Sequence, residues 1–320
     1  MKLFKHLIKL CFCCCLAFMA FAEIGLAQTA EPYVRKEQEI LLTLTITNQQ
    51  GMPIKGLRPD HFDILADKKR LNISSFRDQE EPASILFLVD ISGSMSGGAS
   101  RGNNLRLYIR SILNFLEQGN DTNEYAVLSF NKEVHLAQSW TQDKRRMEQS
   151  LNNVAMQPAK GLTALFDACR QGLDLIKSGK HRKRVIILLS DGQENVSKDE
   201  RFGKLKEQVR ARDALFFGIS IVSSGASFKA DRQGQDVLEE LAAQTGGMAF
   251  FAKGPFDLDA SFEVIALLLR NQYVVGVQVA ESANNKWHPI KVEIKLPPTT
   301  PRELKFPVVR YRPGYFDRVE

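Results

Sequence analysis

The residues from Ile85 to Met95 constrain the fold more than any other stretch of this 320-residue chain. An apolar run ends at Asp90, and Ser92 and Ser94 follow at alternate positions. A continuous apolar run of this kind is typical of a parallel strand that is covered on both faces. Ligands of open α/β sheets bind at the carboxyl ends of the strands. We therefore expect one carboxylate and two hydroxyls at a binding edge.

Two further segments offer oxygen ligands in the same setting. Residues 185–189 form a second apolar run, and Asp191 follows it. Thr163 comes shortly after Gly161 in a loop that opens a predicted helix. Oxygen ligands suit Mg²⁺, Mn²⁺ or Ca²⁺ and not thiophilic metals. The alternative is that these side chains are polar turn residues without a metal, and that Thr163 is the N-cap of its helix.

Taken together, the three segments resemble the metal-ion-dependent adhesion site of the von Willebrand factor type A domain. The resemblance implies a Rossmann-like sheet and a divalent cation, Mg²⁺ with Mn²⁺ or Ca²⁺ as alternatives. It also implies that the cation captures an Asp or Glu side chain of a protein ligand. The residues that match the metal motif are Asp90, Ser92, Ser94, Thr163 and Asp191. Motifs at 56–62, 269–273 and 312–315 are similar to the VWFA-related family first described in Acidobacteria, which has no settled activity.

From residue 85 to residue 269, apolar strand patterns alternate with helix patterns. This alternation predicts a doubly wound, mostly parallel sheet, with an antiparallel edge strand at 134–139. Apolar residues spaced three and four apart predict helices at 105–116, 147–154, 165–176, 201–213, 237–245 and 258–269.

On both sides of this region the pattern is that of β-strands. Residues 40–47 alternate between apolar and polar, and residues 62–65 and 71–76 predict two strands joined by a turn at 67–69. Further strands are predicted at 273–279, 290–296 and 305–311. We expect the two flanks to pair into one small β-sandwich. The predicted domains are therefore an N-terminal β segment at 28–82, a metal-binding domain at 83–271 and a C-terminal β segment at 272–320.

Residues 1–27 are predicted to be a signal peptide. Three lysines precede the apolar stretch 10–22, and small residues at 25–27 form a cleavage site. The stretch is too short for a typical membrane span, although a retained anchor is the alternative. We therefore expect a secreted or periplasmic protein with no membrane span after cleavage. Four of the five cysteines lie in this segment, which leaves Cys169, on an apolar helix face, as a buried structural thiol.

The formal net charge of +6 includes the lysines of the signal peptide, so the mature chain is only mildly basic. The densest basic run spans residues 177–184, between a predicted helix and a predicted strand. We interpret this run as a solvated loop, with contact to an anionic cell surface as the alternative. A nucleic-acid partner is not expected.

Hydrolase patterns fit the chain poorly. Ser92 stands where haloacid-dehalogenase-type phosphatases need a second Asp. In the segment 93–97, Met95 occupies the central position at which a Gly-x-Ser-x-Gly turn would carry a serine nucleophile. The sequence thus predicts a non-enzymatic, exported adhesion or interaction module. A metal-dependent hydrolase, and a structural envelope protein whose metal only stabilises loops, stay open as alternatives.

Overall fold

A computed structural model describes residues 37–96, 104–197, 201–221, 228–280, 284–296 and 300–317. The predicted signal peptide and its four cysteines lie outside these residues. Among the described helices, none combines the length and the apolar character needed to cross a membrane. Cys169 is a buried free thiol, and burial raises its pKa. This placement agrees with a structural role for the thiol.

The strands are β1 (Glu37–Thr47), β2 (Phe62–Ala66), β3 (Lys69–Arg70), β4 (Ile73–Arg77), β5 (Ala83–Asp90), β6 (Glu124–Phe130), β7 (Val134–Thr141), β8 (Lys183–Leu189), β9 (Leu215–Ile221), β10 (Ala249–Ala252), β11 (Gln272–Ala280), β12 (Trp287–Ile294), β13 (Val308–Arg310) and β14 (Gly314–Phe316). The central sheet has the order β10-β9-β8-β5-β6-β7. All its pairs are parallel except that of β7 with β6, at the edge. The predicted α/β fold with a mostly parallel sheet is confirmed.

Helices cover both faces of this sheet. They are α1 (Asn104–Gln118), α2 (Lys144–Met156), α3 (Leu165–Leu175), α4 (Phe202–Arg210), α5 (Phe228–Ala243) and α6 (Pro255–Arg270). Alternate residues of β5 enter different cores: Phe87 packs in the core with α1, α2 and α6, and Leu88 in the core with α3, α4 and α5. Burial on both faces explains why the central strands are continuously apolar.

The ends of the helices differ from the sequence prediction. α5 begins at Phe228, nine residues before the predicted start, and Leu238 and Leu241 are among its buried apolar residues. α6 begins with Pro255 at its first position. Proline is tolerated there because the N–H of the first helical residue has no partner within the helix. α4 ends at Arg210, three residues before its predicted end. Polar helix turns carry no apolar period, so the pattern alone missed these ends.

The two flanks form a β-sandwich of two antiparallel sheets, with orders β13-β1-β11-β4 and β14-β12-β2-β3. β1 and β11 pair from Glu37 opposite Ala280 to Thr45 opposite Gln272. A third apolar core lies between the two sheets and contains residues from both flanks, including Leu44. Residues from the two ends of the chain thus depend on each other for burial. The exact domain boundaries stay a prediction.

The predicted pairing of residues 62–65 with 71–76 is wrong. After the turn at Asp67 and Lys68, both with positive φ, the short strand β3 pairs with β2. β4 instead joins the opposite sheet beside β11. Its Phe76 ring lies 5.4 Å from the Phe62 ring and 5.7 Å from the Tyr273 ring, centroid to centroid. The position of β4 is therefore determined by aromatic packing across the sandwich and not by its closeness to β2 in sequence.

Candidate metal centre

Three loops meet at the carboxyl edge of the central sheet. β5 and β8 are parallel neighbours, with Val89 opposite Leu189, so the residues after them leave the sheet at the same edge. The loop before α3 reaches this edge because the Ala164 N–H donates to the Asn131 carbonyl at 2.7 Å. The structure thus brings all the predicted site residues to one edge. They are Asp90, Ser92, Ser94, Thr163 and Asp191.

Asp90 is fully buried at the end of β5. One carboxylate oxygen accepts the Ser92 N–H at 2.8 Å, and the other accepts the Ser190 hydroxyl at 2.6 Å. Burial raises the pKa of Asp90 to about 7, against the hydrogen bonds from Ser190 and Ser92, and the charge of Asp191 raises it further. Among the described residues, no cationic side chain is a cause of this shift. A buried carboxylate without a cation nearby fits a site for a bound cation.

Ser92 and Ser94 lie on a short turn that follows β5. Their hydroxyl oxygens are 3.2 Å apart, with Ser92 buried and Ser94 exposed. The buried side chain of Met95 anchors the turn in the core. The Gly93 N–H donates to the Gly161 carbonyl at 2.9 Å, so the serine turn contacts the loop that carries Thr163.

Thr163 is buried and is fixed through its backbone by Asn195. The Thr163 N–H donates to the side-chain oxygen of Asn195 at 3.3 Å, and the Asn195 N–H donates to the Thr163 carbonyl at 2.9 Å. The alternative that Thr163 is the N-cap of its helix is wrong, because the N-cap of α3 is Ala164 and no side chain of that residue caps the helix. The start of α3 is bonded from another loop.

That other loop follows Asp191, and the sequence analysis missed its role. Glu194 accepts the Phe166 N–H at 2.8 Å at the start of α3. The same carboxylate accepts the N–H groups of Val196 and Ser197 and the Ser197 hydroxyl, each at 2.7 Å. Glu194 therefore closes its own loop and stabilises the helix N-terminus, where negative charge is favoured. Because 28 residues separate it from Phe166, no local pattern could have revealed the contact.

Asp191 is half-buried and accepts the Gln193 N–H at 3.0 Å. Gly192, next to it, has a positive φ of 80°. A Cβ atom at Gly192 would overlap the carbonyl of Gly234 in α5, and a Cβ atom at Gly234 would overlap the carbonyl of Asp191. Two glycines thus allow α5 to approach the Asp191 loop closely and hold it in place.

The set of possible ligands is rich in hydroxyls. Among the described residues, no three or more His, Cys, Asp or Glu side chains are grouped so that they could hold a metal ion. The candidate centre instead combines three neutral hydroxyls with two carboxylates. Such oxygen ligands fit a hard divalent cation. Neutral ligands leave such an ion enough positive charge to attract an external carboxylate.

Residues 85–193 match the sequence model of the von Willebrand factor type A domain. This chain contains a von Willebrand factor type A domain. The matched residues run from β5 to the Asp191 loop and include the whole candidate centre. The resemblance predicted from the motif is therefore confirmed.

Among curated proteins, the chain is similar to inter-alpha-trypsin inhibitor heavy chain H3. It is 24% identical to the Pongo abelii protein and 23% identical to the Homo sapiens protein, over 215 residues. Each match covers 63% of this chain and 23% of the relative. The similarity thus spans about a quarter of the relatives' length.

Among solved structures, proximal thread matrix protein 1 from the mussel byssus has a TM-score of 0.50 at 18% identity. This likeness covers 64% of the present chain and 50% of the mussel chain. Another structure of the mussel protein, with a TM-score of 0.49 at 17% identity, has a MIDAS motif occupied by zinc and covers 64% and 49% of the two chains. At these identities the likeness shows the fold alone.

Proposed function

We propose that this protein is an exported, metal-dependent interaction module that captures an acidic side chain of a protein partner. One observation carries the proposal: three loops bring five oxygen-bearing side chains to one edge of the sheet, around the buried carboxylate of Asp90. The match of residues 85–193 to the type A domain supports the proposal, because that range contains all five residues.

Each residue has a distinct part in this proposal. The hydroxyls of Ser92 and Ser94 bind the cation as neutral ligands, and Thr163 binds it directly or through water. Asp90 and Asp191 act mainly through hydrogen bonds to hydroxyls and water, as Asp90 already does with Ser190. When bound, the ion supplies positive charge and an open coordination position for a partner's Asp or Glu. Mg²⁺ is the proposed ion, with Mn²⁺ or Ca²⁺ as alternatives.

Export and the absence of enzymatic activity belong to the same proposal. The basic and apolar pattern of residues 1–27 supports export to the periplasm or beyond the cell. The candidate centre offers hydroxyls and carboxylates that hold an ion, and the residues that bond to them are serines, asparagines and backbone groups.

Calorimetric titration of residues 28–320 with Mg²⁺ and Mn²⁺ tests the metal assignment. We expect Asp90→Ala and Ser92→Ala to weaken binding by more than about tenfold. Asp121→Asn, a charge change at a side chain that is 92% exposed, is the control and should bind as the wild type does. Unchanged tight binding by Asp90→Ala would reject the site.

Two further measurements test the rest of the proposal. Capture of partner proteins from the native envelope should disappear on chelation, and capture that survives chelation would favour a structural role for the metal. An assay for metal-dependent hydrolysis of phosphoesters and peptides should give no turnover. Turnover that Asp90→Ala abolishes would instead establish a hydrolase at the same centre.

A further inference from the structure

A second charged site lies at the opposite edge of the central sheet, where β8 begins. A cleft that is partly open to solvent lies there between the sheet and the sandwich, and its enclosed part has a volume of only about 20 Å³. Strand β1 of the sandwich contributes Thr43 to its wall, and Asp213 is the one carboxylate among its lining residues. The cationic lining residues are Arg182, Lys183, Arg184, Arg212 and Arg312. Cations thus outnumber carboxylates in the lining by five to one.

The nearby carboxylates do not balance these cations. Arg182 pairs with Glu81 at 2.7 Å, outside the cleft lining, and Arg312 lies 3.6 Å from Asp213. Arg212 approaches Asp174 only to 3.9 Å. The same Asp174 carboxylate already binds Lys177 at 2.8 Å and lies 3.7 Å from Arg170. One carboxylate therefore serves three cations.

Arg184 and Arg212 are the least satisfied of the cleft arginines. Within the described part of the chain, the buried Nε of each has no hydrogen-bond partner. Arg184 also forms no ion pair with a described carboxylate. A partly buried guanidinium without a counter-charge is unfavourable, and a cleft lined by one sign of charge concentrates ions of the other sign.

The register of β8 explains why these arginines converge. Arg184 alternates with Ile186 and Leu188 along β8, so it faces the side of the sheet that carries α3 and α4, and Arg182 lies just before the strand. Lys183 between them points to the other face and donates to the Leu269 carbonyl at 2.8 Å. The predicted solvated loop at 177–184 is therefore only partly right. Lys177 and Lys180 are exposed, but the end of the run enters the cleft.

We propose that this cleft binds a phosphate-type oxyanion, either free or as the ester headgroup of an anionic lipid. Guanidinium groups are planar forks that bind two oxygens at once, which suits phosphate better than a single ammonium does. The lining arginines come from the start of β8, from the segment after α4 and from the link between β13 and β14, so three separate parts of the chain contribute guanidinium groups to one cleft. A doubly charged anion would supply the counter-charge that Arg184 lacks, and would add to the distant Asp174 carboxylate that Arg212 shares with two other cations. This proposal does not depend on the metal centre, which lies at the other edge.

Titration of residues 28–320 with inorganic phosphate, at ionic strength held constant with chloride, tests the cleft. We expect saturable binding that Arg184→Gln and Arg212→Gln each weaken by about tenfold or more. Arg146→Gln removes the same charge from an arginine that is 71% exposed in α2, and it should bind as the wild type does. Absence of phosphate binding by the wild type, or equal losses in all three variants, would overturn the proposal.

A gain-of-charge variant tests the cleft even where an arginine variant fails to fold. Thr43→Glu places a carboxylate on the cleft wall without removing an arginine, and it should abolish phosphate binding while the melting temperature stays equal or rises. Acetate should compete at least tenfold more weakly than phosphate, and equal competition would overturn the assignment to phosphate. Vesicles of phosphatidylglycerol, compared with phosphatidylcholine, distinguish the two sources. Binding to the former that inorganic phosphate displaces identifies a lipid headgroup, and phosphate binding without vesicle binding identifies a free anion.

Discussion

The two edges of the central sheet differ in charge, although the same two strands reach both. The middle of each strand is apolar, from Ile85 to Val89 in β5 and from Val185 to Leu189 in β8. At the carboxyl edge they lead to Asp90 and Asp191, whereas at the amino edge β8 begins among Arg182 and Arg184. Since the interior of a sheet covered on both faces excludes charge, ionic groups collect at the strand ends. One sheet can thus hold a cation site and an anion site that act independently.

The largest expected effect tests how rigidly the carboxyl edge of the sheet is held. We call this edge, with Asp90 and Asp191, the acidic edge. Gly192→Ala should lower the free energy of unfolding by about 3 kcal/mol, because its Cβ overlaps the Gly234 carbonyl in α5 and φ is positive. Gly203→Ala in α4 is the matched control, since a Cβ there meets nothing within 4 Å. Urea unfolding measures both variants. Equal stabilities would mean that α5 does not hold the Asp191 loop.

The next prediction tests whether Mg²⁺ acts at the edge with Asp90 and phosphate acts at the edge with Arg184. Mg²⁺ at a hundredfold excess over its Kd should stabilise the wild type by about 2.7 kcal/mol, and chelation should remove the effect. Asp90→Ala should lose stabilisation by Mg²⁺ and keep stabilisation by phosphate. Arg184→Gln should show the reverse pattern. Thermal melts with each ion decide this, and a variant that loses both responses would show that the edges are coupled.

Glu194→Ala sharpens the picture of the acidic edge. Three backbone N–H groups, of Phe166, Val196 and Ser197, would lose their acceptor. We expect a loss of about 2 kcal/mol in the free energy of unfolding, with weaker Mg²⁺ binding because the Asn195 contact to Thr163 loosens. Glu133→Ala, at a side chain that is 63% exposed, is the control. Unchanged stability and Mg²⁺ affinity would show that this loop closes without Glu194.

The smallest effect at neutral pH concerns Lys183, at the edge of the sheet where β8 begins. Burial lowers the pKa of Lys183 from its usual 10.5 to about 8, against the attraction of Glu81. Below pH 8 both folded and unfolded states hold the proton, and between pH 8 and 10.5 the folded state loses it first. Stability from this group therefore rises with pH across that window.

Lys183→Met tests this slope. At pH 7 the variant should differ from the wild type by about 1 kcal/mol or less, because it loses both a hydrogen bond and a buried charge. Its stability should be flat between pH 8 and 10.5, where the wild type gains. The exposed Lys180→Met is the control and should keep the wild-type slope. Equal slopes in all three proteins would contradict the assignment to Lys183.

The sequence predicted the acidic edge well because its signals are local. The apolar runs that precede Asp90 and Asp191 mark strands, and the two hydroxyls follow at fixed spacing. The parallel sheet follows from the alternation of strands and helices. These features depend on residues only a few positions apart, which is the range over which a periodic pattern is informative.

Contacts between distant segments could not be predicted in this way. Glu194 bonds to the start of α3, β4 joins β11, and Arg312 enters a cleft beside Arg184. Each depends on how separate elements pack. The alternative cap at Thr163 fails for a related reason, since the carboxylate of Glu194 from another loop bonds to the start of the helix. These contacts depend on how segments distant in sequence pack together, and a local sequence pattern carries no such information.

The pairing of β1 with β11 sets the order in which this chain can fold. The first strand has its neighbours only after residue 280 has been made, since Glu37 lies opposite Ala280. During synthesis from the N-terminus, the central domain can fold before the later partner strands of β1 and β2 have been made. Until then, β1 and β2 have unpaired edges and exposed apolar faces. Such edges promote association with other chains. The sandwich is therefore the part of the protein that most needs protection by chaperones, and a chain truncated before β11 should aggregate although its central domain is whole.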